Sequence, residues 1–237
     1  MSVEEPSTLM SVQDLKRVKN SVIGNPVAKT ALSRDVAFVR SLVECVDVAS
    51  VVGTVGNELG AEAAHIIASL SYGSESALDT LLRLQTPRIL IFALSQFTPT
   101  DPLPLRSAYA RALRAVVASV AEIVGPSEYG LRPEPTGPMQ IETKAALELI
   151  FAIETLDSLL PLLLSPSPQL ATPIVHLLSS ATRSLHHRTT LSSYLPPSER
   201  IAATSPSGAN ATSPIAGEVE VGQVEVGRAV QVEEGGS

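Results

Sequence analysis

The side chains with the widest chemical range in this sequence are four histidines and one cysteine. The histidines are His65, His176, His186 and His187, and the cysteine is Cys45. A structural zinc site needs about four nitrogen or sulfur ligands that converge from short, regular spacings. His186 and His187 are adjacent, so on a helix their side chains point about 100° apart, and no thiolate or carboxylate is close to them in sequence. The sequence therefore predicts no metal site.

The same residue types give no sign of acid–base or nucleophilic catalysis. His65 interrupts an apolar face, which is typical of a partly buried, hydrogen-bonded histidine. Cys45 has no basic or glycine-rich neighbours, so we expect a small buried side chain rather than a nucleophile. We therefore expect a protein without enzymatic activity, cofactor or small-molecule substrate. The alternative is an enzyme on a helical scaffold that works through His65, His176 or Glu148.

Three closely spaced glycines, Gly53, Gly56 and Gly60, invite comparison with a nucleotide-binding loop. Their spacing fits neither G-x-G-x-x-G nor G-x-x-x-x-G-K-[ST], and no strand is predicted before them. We expect a flexible loop between helical segments instead.

Composition and charge exclude several functional classes. Of the 237 residues, 44% are hydrophobic but only 3% aromatic, which favours stacked aliphatic helices over an aromatic-rich β-sandwich. A net charge of −7 disfavours nucleic-acid binding through phosphate neutralisation, and one cysteine excludes an intramolecular disulfide framework. All apolar runs are shorter than the roughly 18 residues of a membrane span, and the N-terminus is acidic rather than signal-like. We expect a cytoplasmic or nuclear protein that binds neither membrane nor nucleic acid.

Charge and complexity divide the chain into three parts. Most of the negative charge lies at the two ends, and the middle is close to neutral. The C-terminal part carries too little bulky apolar surface to offset its ordering entropy. We predict a disordered N-terminus at 1–10, a folded domain at 11–200 and a disordered acidic tail at 201–237. The prolines and glycines of 125–140 predict a surface loop within the folded domain.

Two serines in the predicted tail precede proline and are candidate phosphorylation sites. They are Ser205 and Ser213. Phosphorylation there would add negative charge to a segment that is already acidic. The alternative is that Ser-Pro pairs serve only as loop chemistry.

Apolar residues recur at helical spacing through most of 11–200, which predicts an all-α domain. The run Ile89–Leu94 is apolar on all sides, so we expect it to be buried between neighbouring helices. Pro161 predicts a late helix start or a bend. The clearest stripes are Leu15–Val22, Val36–Val46, Ala63–Leu70, Leu78–Leu82, Leu105–Val120, Ala145–Leu156 and a last one that opens at Pro173 and reaches Leu185.

A repeat underlies this pattern. Residues 18–46 and 66–97 share one order of features: a helix, a glycine-polar turn, a second helix, a short break and a strongly apolar third helix. The turn glycines Gly24, Gly73 and Gly125 recur about every 50 residues, close to the ~40–47 residues of armadillo and HEAT units. No such unit buries its own apolar face, so at least about three stacked layers are needed for stability.

The first repeat resembles a known family. Residues 14–46, DLKRVKNSVIGNPVAKTALSRDVAFVRSLVECV, are similar to the opening repeat of the armadillo-repeat scaffold subunit of the GID/CTLH ubiquitin ligase complex. This is the armadillo repeat-containing protein eight, or vacuolar import and degradation, type. KNSVIGN (19–25) is the most distinctive piece, and 63–82, 105–120 and 156–191 follow the same order of elements. Family members are much longer arrays, so this chain would hold only the first few repeats.

The resemblance implies both an architecture and a role. The fold would be a right-handed α-solenoid of about four armadillo-like repeats. The protein would be a non-catalytic scaffold that joins substrate-recognition and scaffold subunits of the ubiquitin ligase complex for proteasomal degradation. Its partners would be the protein subunits of that complex, among which RING-type subunits transfer ubiquitin. The alternatives are a general armadillo adaptor in signalling or trafficking, and a truncated gene product whose last repeat exposes an apolar face.

In armadillo proteins the third helix of each repeat lines a concave groove. By this resemblance, the polar residues that interrupt the third helices are candidates for bonding the backbone of an extended partner segment. They are Arg40, Glu44, Arg88 and Gln96. The alternative is a solvated face without a ligand. Since the chain has no Trp, it lacks the Trp and Asn ladder of nuclear-import adaptors, and we do not expect a cargo receptor of that kind.

Overall fold

The computed structural model describes residues 10–47, 53–72, 74–125 and 137–204, and these ranges are all-helical, as predicted. The chain divides into two units, Met1–Pro197 and Ser198–Ser237, and the core described below belongs to the first. The helices are α1 (Val12–Val22), α2 (Pro26–Arg34), α3 (Val36–Val46), α4 (Gly53–Ser71), α5 (Glu75–Arg83), α6 (Thr86–Gln96), α7 (Leu103–Val124), α8 (Pro138–Ile150), α9 (Ile153–Leu159), α10 (Pro168–Ala181), α11 (Leu185–Ser192) and α12 (Pro197–Thr204), with a 3-10 helix at Leu160–Leu164.

Short polar side chains set where several helices begin. Ser11, Asn25, Asp35 and Ser74 each accept a hydrogen bond from a first-turn backbone N–H of α1, α2, α3 and α5. This satisfies a backbone donor that has no partner within the helix. Gly24, with φ near +70°, makes the tight turn that ends α1, and only three residues separate α1 from α2.

The most extensive contacts join helices three positions apart in the chain, and smaller ones join sequence neighbours such as α3 and α4 or α7 and α8. α1 packs on α4, α4 on α7 and α7 on α10. In the same way α2 packs on α5 and α5 on α8, while α3 packs on α6 and α6 on α9. Buried Leu, Ile, Val and Ala side chains form one continuous core across these contacts. In the described part of the chain, no helix is both long and apolar enough to cross a lipid bilayer.

Tyr109 is the largest fully buried side chain of this aliphatic core. Its hydroxyl donates a 3.1 Å hydrogen bond to the carbonyl of Val46, which ties the middle of α7 to the end of α3. The ring packs edge-to-face on Phe97, with centroids 5.1 Å apart. Burial raises the pKa of Tyr109 far above its ordinary value, so the hydroxyl stays protonated and remains a donor.

The glycine cluster forms part of a helix, so the prediction of a flexible loop there is wrong. α4 begins at Gly53, which has a φ near +76°, and then runs without a break through Gly56 and Gly60. Both of these inner glycines are buried. A glycine inside a helix costs about 0.5–1 kcal/mol relative to alanine. Packing of α4 against α1, α3 and α7 outweighs that local cost.

The helices near Pro161, Pro168 and Pro173 begin and end differently from the prediction. α10 opens at Pro168, not at Pro173, which lies inside the helix. The predicted last stripe also breaks earlier, because α10 ends at Ala181 and Leu185 starts α11 with 78% of its side chain exposed. At Pro161, where a late start or a bend was expected, α9 has already ended at Leu159 and the chain continues as a 3-10 helix.

Two predicted boundaries also shift. α8 begins at Pro138, so the last three residues of the predicted 125–140 loop are helical. α12 ends at Thr204, four residues into the predicted tail. Most of that loop, the rest of the tail and residues 1–9 lie outside the described residues.

A hydrogen bond from α7 compensates for the proline inside α10. Pro173 has no backbone N–H, so it cannot donate to the carbonyl of Gln169 four residues before it. The buried Ser107 hydroxyl of α7 donates to that carbonyl instead, at 3.0 Å. The bond therefore satisfies a backbone acceptor that the sequence of α10 leaves open, and it fixes α7 against α10.

This arrangement predicts a coupling between Ser107 and Pro173. Ser107→Ala leaves the Gln169 carbonyl without its donor and should lower the free energy of unfolding by about 1–3 kcal/mol. In a Pro173→Ala background the restored N–H of residue 173 can donate to this carbonyl, so the same change should cost less than about 1 kcal/mol. Chemical denaturation of the four proteins gives the comparison.

Ser119→Ala is the matched control, because Ser119 is also buried in α7 but its hydroxyl has no hydrogen-bond partner. Ser119→Ala should leave the free energy of unfolding unchanged or raise it. An equal cost of Ser107→Ala in both backgrounds would contradict the proposed compensation.

Candidate functional site

The four predicted groove residues lie on two helices that pack against each other. Arg40 and Glu44 are on α3, Arg88 and Gln96 are on α6, and all four side chains are exposed. On each helix the two residues are spaced by multiples of four, so each pair lies along one face. The structure therefore places them on the outward surface of neighbouring helices, where a partner could reach them.

The outward row of α6 consists of Arg88, Phe92 and Gln96. Phe92 is 55% exposed, so the prediction that the whole apolar run of α6 is buried is wrong at this position. Leu90, Ile91 and Leu94 of the same run are buried, because they face the core. A large aromatic side chain between an arginine and a glutamine gives this row a mixed apolar and polar character, which is common at protein interfaces.

A pocket of about 330 Å³ lies beside Arg88. We call it the Arg88 pocket. It is bounded by the end of α5, the turn into α6, the start of α6, and one face of α8. Leu82, Pro87 and Leu149 contribute apolar wall, and Gln85, Arg88 and Glu142 contribute polar groups. Of these six residues, only Arg88 was named in the sequence analysis as a candidate binding residue.

Gln85 shapes the entrance to α6. Among the described residues other than glycine, Gln85 alone has a positive φ. Its dihedral angles, φ 56° and ψ 30°, lie in the left-handed region. Its side-chain Nε2 donates to the carbonyl of Leu82 at 3.4 Å, and it does not cap α6. A left-handed residue between two helices reverses the chain sharply enough to bring Arg88 and Leu82 to the same pocket.

Charged side chains also cross between α1 and α4. Lys16 Nζ lies 2.5 Å from Glu58 Oε1, and this hydrogen bond raises the pKa of Lys16. Lys19 Nζ lies 2.6 Å from Glu62 Oε2, an ion-pair distance, although that oxygen has no hydrogen bond of acceptable geometry. His65 is partly buried, as expected. Burial and then the charge of Lys19 lower its pKa, which favours the neutral imidazole.

Two sequence-distant residues, His187 and Glu148, meet at the contact between α11 and α8. His187 is only 1% exposed, and its Nε2 lies 3.2 Å from Glu148 Oε1. Its ring stacks on Phe151, with centroids 4.2 Å apart. The pair lines neither the Arg88 pocket nor the cavity between α4, α5 and α7. Its geometry fits a structural clamp better than acid–base chemistry on a bound substrate.

The other histidines do not converge on a common centre. His176 and His186 are exposed. In the described ranges, no three His, Cys, Asp or Glu side chains are grouped so that they could hold a metal ion. The candidate phosphorylation sites Ser205 and Ser213 lie outside the described residues.

Cys45 is partly buried and packs against the core. Burial, and secondarily the charge of Glu44, raise the pKa of its thiol. A raised pKa keeps the thiol protonated at neutral pH, which is the opposite of what a nucleophilic cysteine needs. This agrees with the expectation of a small buried side chain.

Comparison with known proteins assigns no family. No protein-family model and no curated protein matches the chain. Among solved structures, the chain is similar to an engineered protein from the Northeast Structural Genomics Consortium, at 18% sequence identity and a TM-score of 0.42, with 72% of each chain covered. A likeness of this degree identifies neither a family nor a function.

The raised pKa predicts slow and strongly pH-dependent alkylation of Cys45. Since only the thiolate reacts, the reaction with iodoacetamide should be slower at pH 8 in the native protein than in the denatured chain. The midpoint of the rate against pH should lie higher in the native protein, which separates the pKa effect from simple shielding. Mass spectrometry of samples quenched over time gives the rates. A native midpoint at or below the denatured one would contradict the assignment.

Proposed function

We propose that this chain is a non-catalytic armadillo-repeat scaffold in a GID/CTLH-type ubiquitin ligase complex. In this proposal its helices form a right-handed solenoid of about four armadillo-like repeats. The scaffold joins substrate-recognition and scaffold subunits of the complex, in the cytoplasm or nucleus, so that substrates are ubiquitinated for proteasomal degradation. The partners are protein subunits.

The observation that carries the proposal is the packing of α1 on α4, α4 on α7 and α7 on α10, with smaller contacts of the same three-apart spacing among α2, α3, α5, α6, α8 and α9. This is the contact pattern expected of stacked three-helix repeats, in which each layer covers the apolar face of the next. The first of these layers, α1 to α3, contains the segment KNSVIGN (19–25) that resembles the family most closely. Fold pattern and local resemblance therefore coincide in the same part of the chain.

The surface chemistry supports a role in protein binding. The outward row of α6 combines a half-exposed phenylalanine with an arginine and a glutamine, residue types suited to a protein interface. A scaffold whose binding residues lie on packed helices loses little conformational entropy when it binds. Arg40 and Glu44 on α3 extend the same kind of surface to the neighbouring helix.

Affinity purification of the tagged full-length chain tests this proposal. The chain should copurify stoichiometrically with RING-type and scaffold subunits of the GID/CTLH complex from cells that contain it. Phe92→Asp should reduce this recovery, because it puts a charge in the middle of the outward row of α6. Val175→Asp is the matched control, since Val175 is 53% exposed on α10, and it should leave the recovery unchanged.

Absence of every GID/CTLH subunit from the purified material would contradict the proposal. A reproducible set of other proteins that is lost with Phe92→Asp would instead support a general armadillo adaptor. Equal losses with Phe92→Asp and Val175→Asp would show that α6 is not the binding surface.

A further inference from the structure

The Arg88 pocket contains a carboxylate whose hydrogen-bonding capacity is not used. Glu142 Oε2 is buried and has no hydrogen-bond partner. In the described chain, Glu142 makes no ion pair. A buried acceptor of this kind destabilises the free protein unless a donor from outside satisfies it. The carboxylate therefore indicates a ligand that carries hydrogen-bond donors and, best of all, a positive charge.

The walls and size of the pocket restrict that ligand further. Leu82, Pro87 and Leu149 line the same pocket as Glu142, and the volume of about 330 Å³ is at the low end of ligand pockets, which span about 300–1,000 Å³. This space suits one long side chain rather than a cofactor. A bare metal ion fits poorly, because Ca²⁺ and Mg²⁺ take about six or more oxygen ligands and the pocket offers one carboxylate.

The second charge of the pocket lies on Arg88. Its side chain is exposed, and no ion pair of Arg88 occurs in the described ranges. The pocket is therefore lined by one basic and one acidic side chain, neither of which makes an ion pair within the described residues. A ligand that carries a cation and an anion on neighbouring groups would satisfy both.

We propose that the Arg88 pocket binds a lysine or arginine side chain from an extended segment of a partner protein, with an acidic residue next to it in the partner. The aliphatic part of the basic side chain packs on Leu82, Pro87 and Leu149. Its charged end donates to Glu142, and the adjacent acidic side chain accepts from Arg88. The proposal does not depend on which complex the chain joins.

A peptide titration of the purified full-length chain tests the proposal. The probe is the blocked hexapeptide Ala-Ala-Lys-Glu-Ala-Ala, followed through the NMR signals of Ala146 and Leu149. We expect a dissociation constant on the order of 1 mM, because few contacts support a short flexible peptide. A peptide with norleucine in place of lysine keeps the aliphatic stem without the charge and should bind at least about tenfold more weakly.

Variants of the protein show which side chain of the pocket binds the lysine and which binds the glutamate of the peptide. Glu142→Gln should weaken binding of the lysine peptide at least about tenfold, whereas Glu154→Gln, an exposed glutamate on α9, should leave it unchanged. Arg88→Gln should remove the preference for glutamate over glutamine next to the lysine. No shift of the pocket signals at about 10 mM peptide, or equal binding of the lysine and norleucine peptides, would overturn the proposal.

The stability of the free protein gives an independent test. Glu142→Met removes the unsatisfied acceptor and keeps a side chain of similar length, so the thermal midpoint should rise while peptide binding is lost. Glu154→Met should leave the midpoint unchanged or lower it slightly, because that side chain is exposed and its charge lies in the first turn of α9. A lower midpoint for Glu142→Met would show that the carboxylate serves the fold, and it would overturn the proposal.

Discussion

Burial of aliphatic side chains between successive helices is the constraint on which this molecule depends. Helices of seven to 22 residues are marginal or unstable alone in water, so each gains stability from its neighbours. With 3% aromatic residues, the buried area comes from many small contributions, each worth about 25 cal/mol per Å² of apolar surface. α7 illustrates the result: it packs on α4 on one side and on α10 on the other, and most of its residues are buried. No helix of this core can be removed without exposing the face of another.

Polar groups inside the core give these contacts their register. Apolar burial is non-directional, whereas a buried hydrogen bond has one partner at one distance. Ser107 fixes α7 against α10 through the carbonyl of Gln169, and Tyr109 fixes α7 against α3. His187 does the same for α11 and α8 through Glu148. Three side chains thus specify how helices far apart in sequence meet.

Helix type and order were predictable because the 3.6-residue period is a local property of the sequence. The errors have tertiary causes. Gly56 and Gly60 are helical because packing outweighs propensity, and Pro173 is tolerated within α10 because Ser107, more than 60 residues away, supplies the missing donor. The candidate surface was partly predictable, since Arg88 is a charged residue directly before the apolar run Ile89–Leu94. Glu142 was not, because an unsatisfied carboxylate becomes apparent only when α8 packs beside α5.

The left-handed turn at Gln85 limits how this part of the sequence can vary. Glycine or asparagine would keep the same backbone conformation, whereas a β-branched residue would be strained there, by about 1–3 kcal/mol. Relief of that strain would rotate the first turn of α6. Arg88, Phe92 and Gln96 all lie on α6. A change in the backbone dihedral angles of Gln85 would therefore move all three side chains together. A substitution at Gln85 is therefore a route by which the outward row of α6 could be displaced while the protein remains folded.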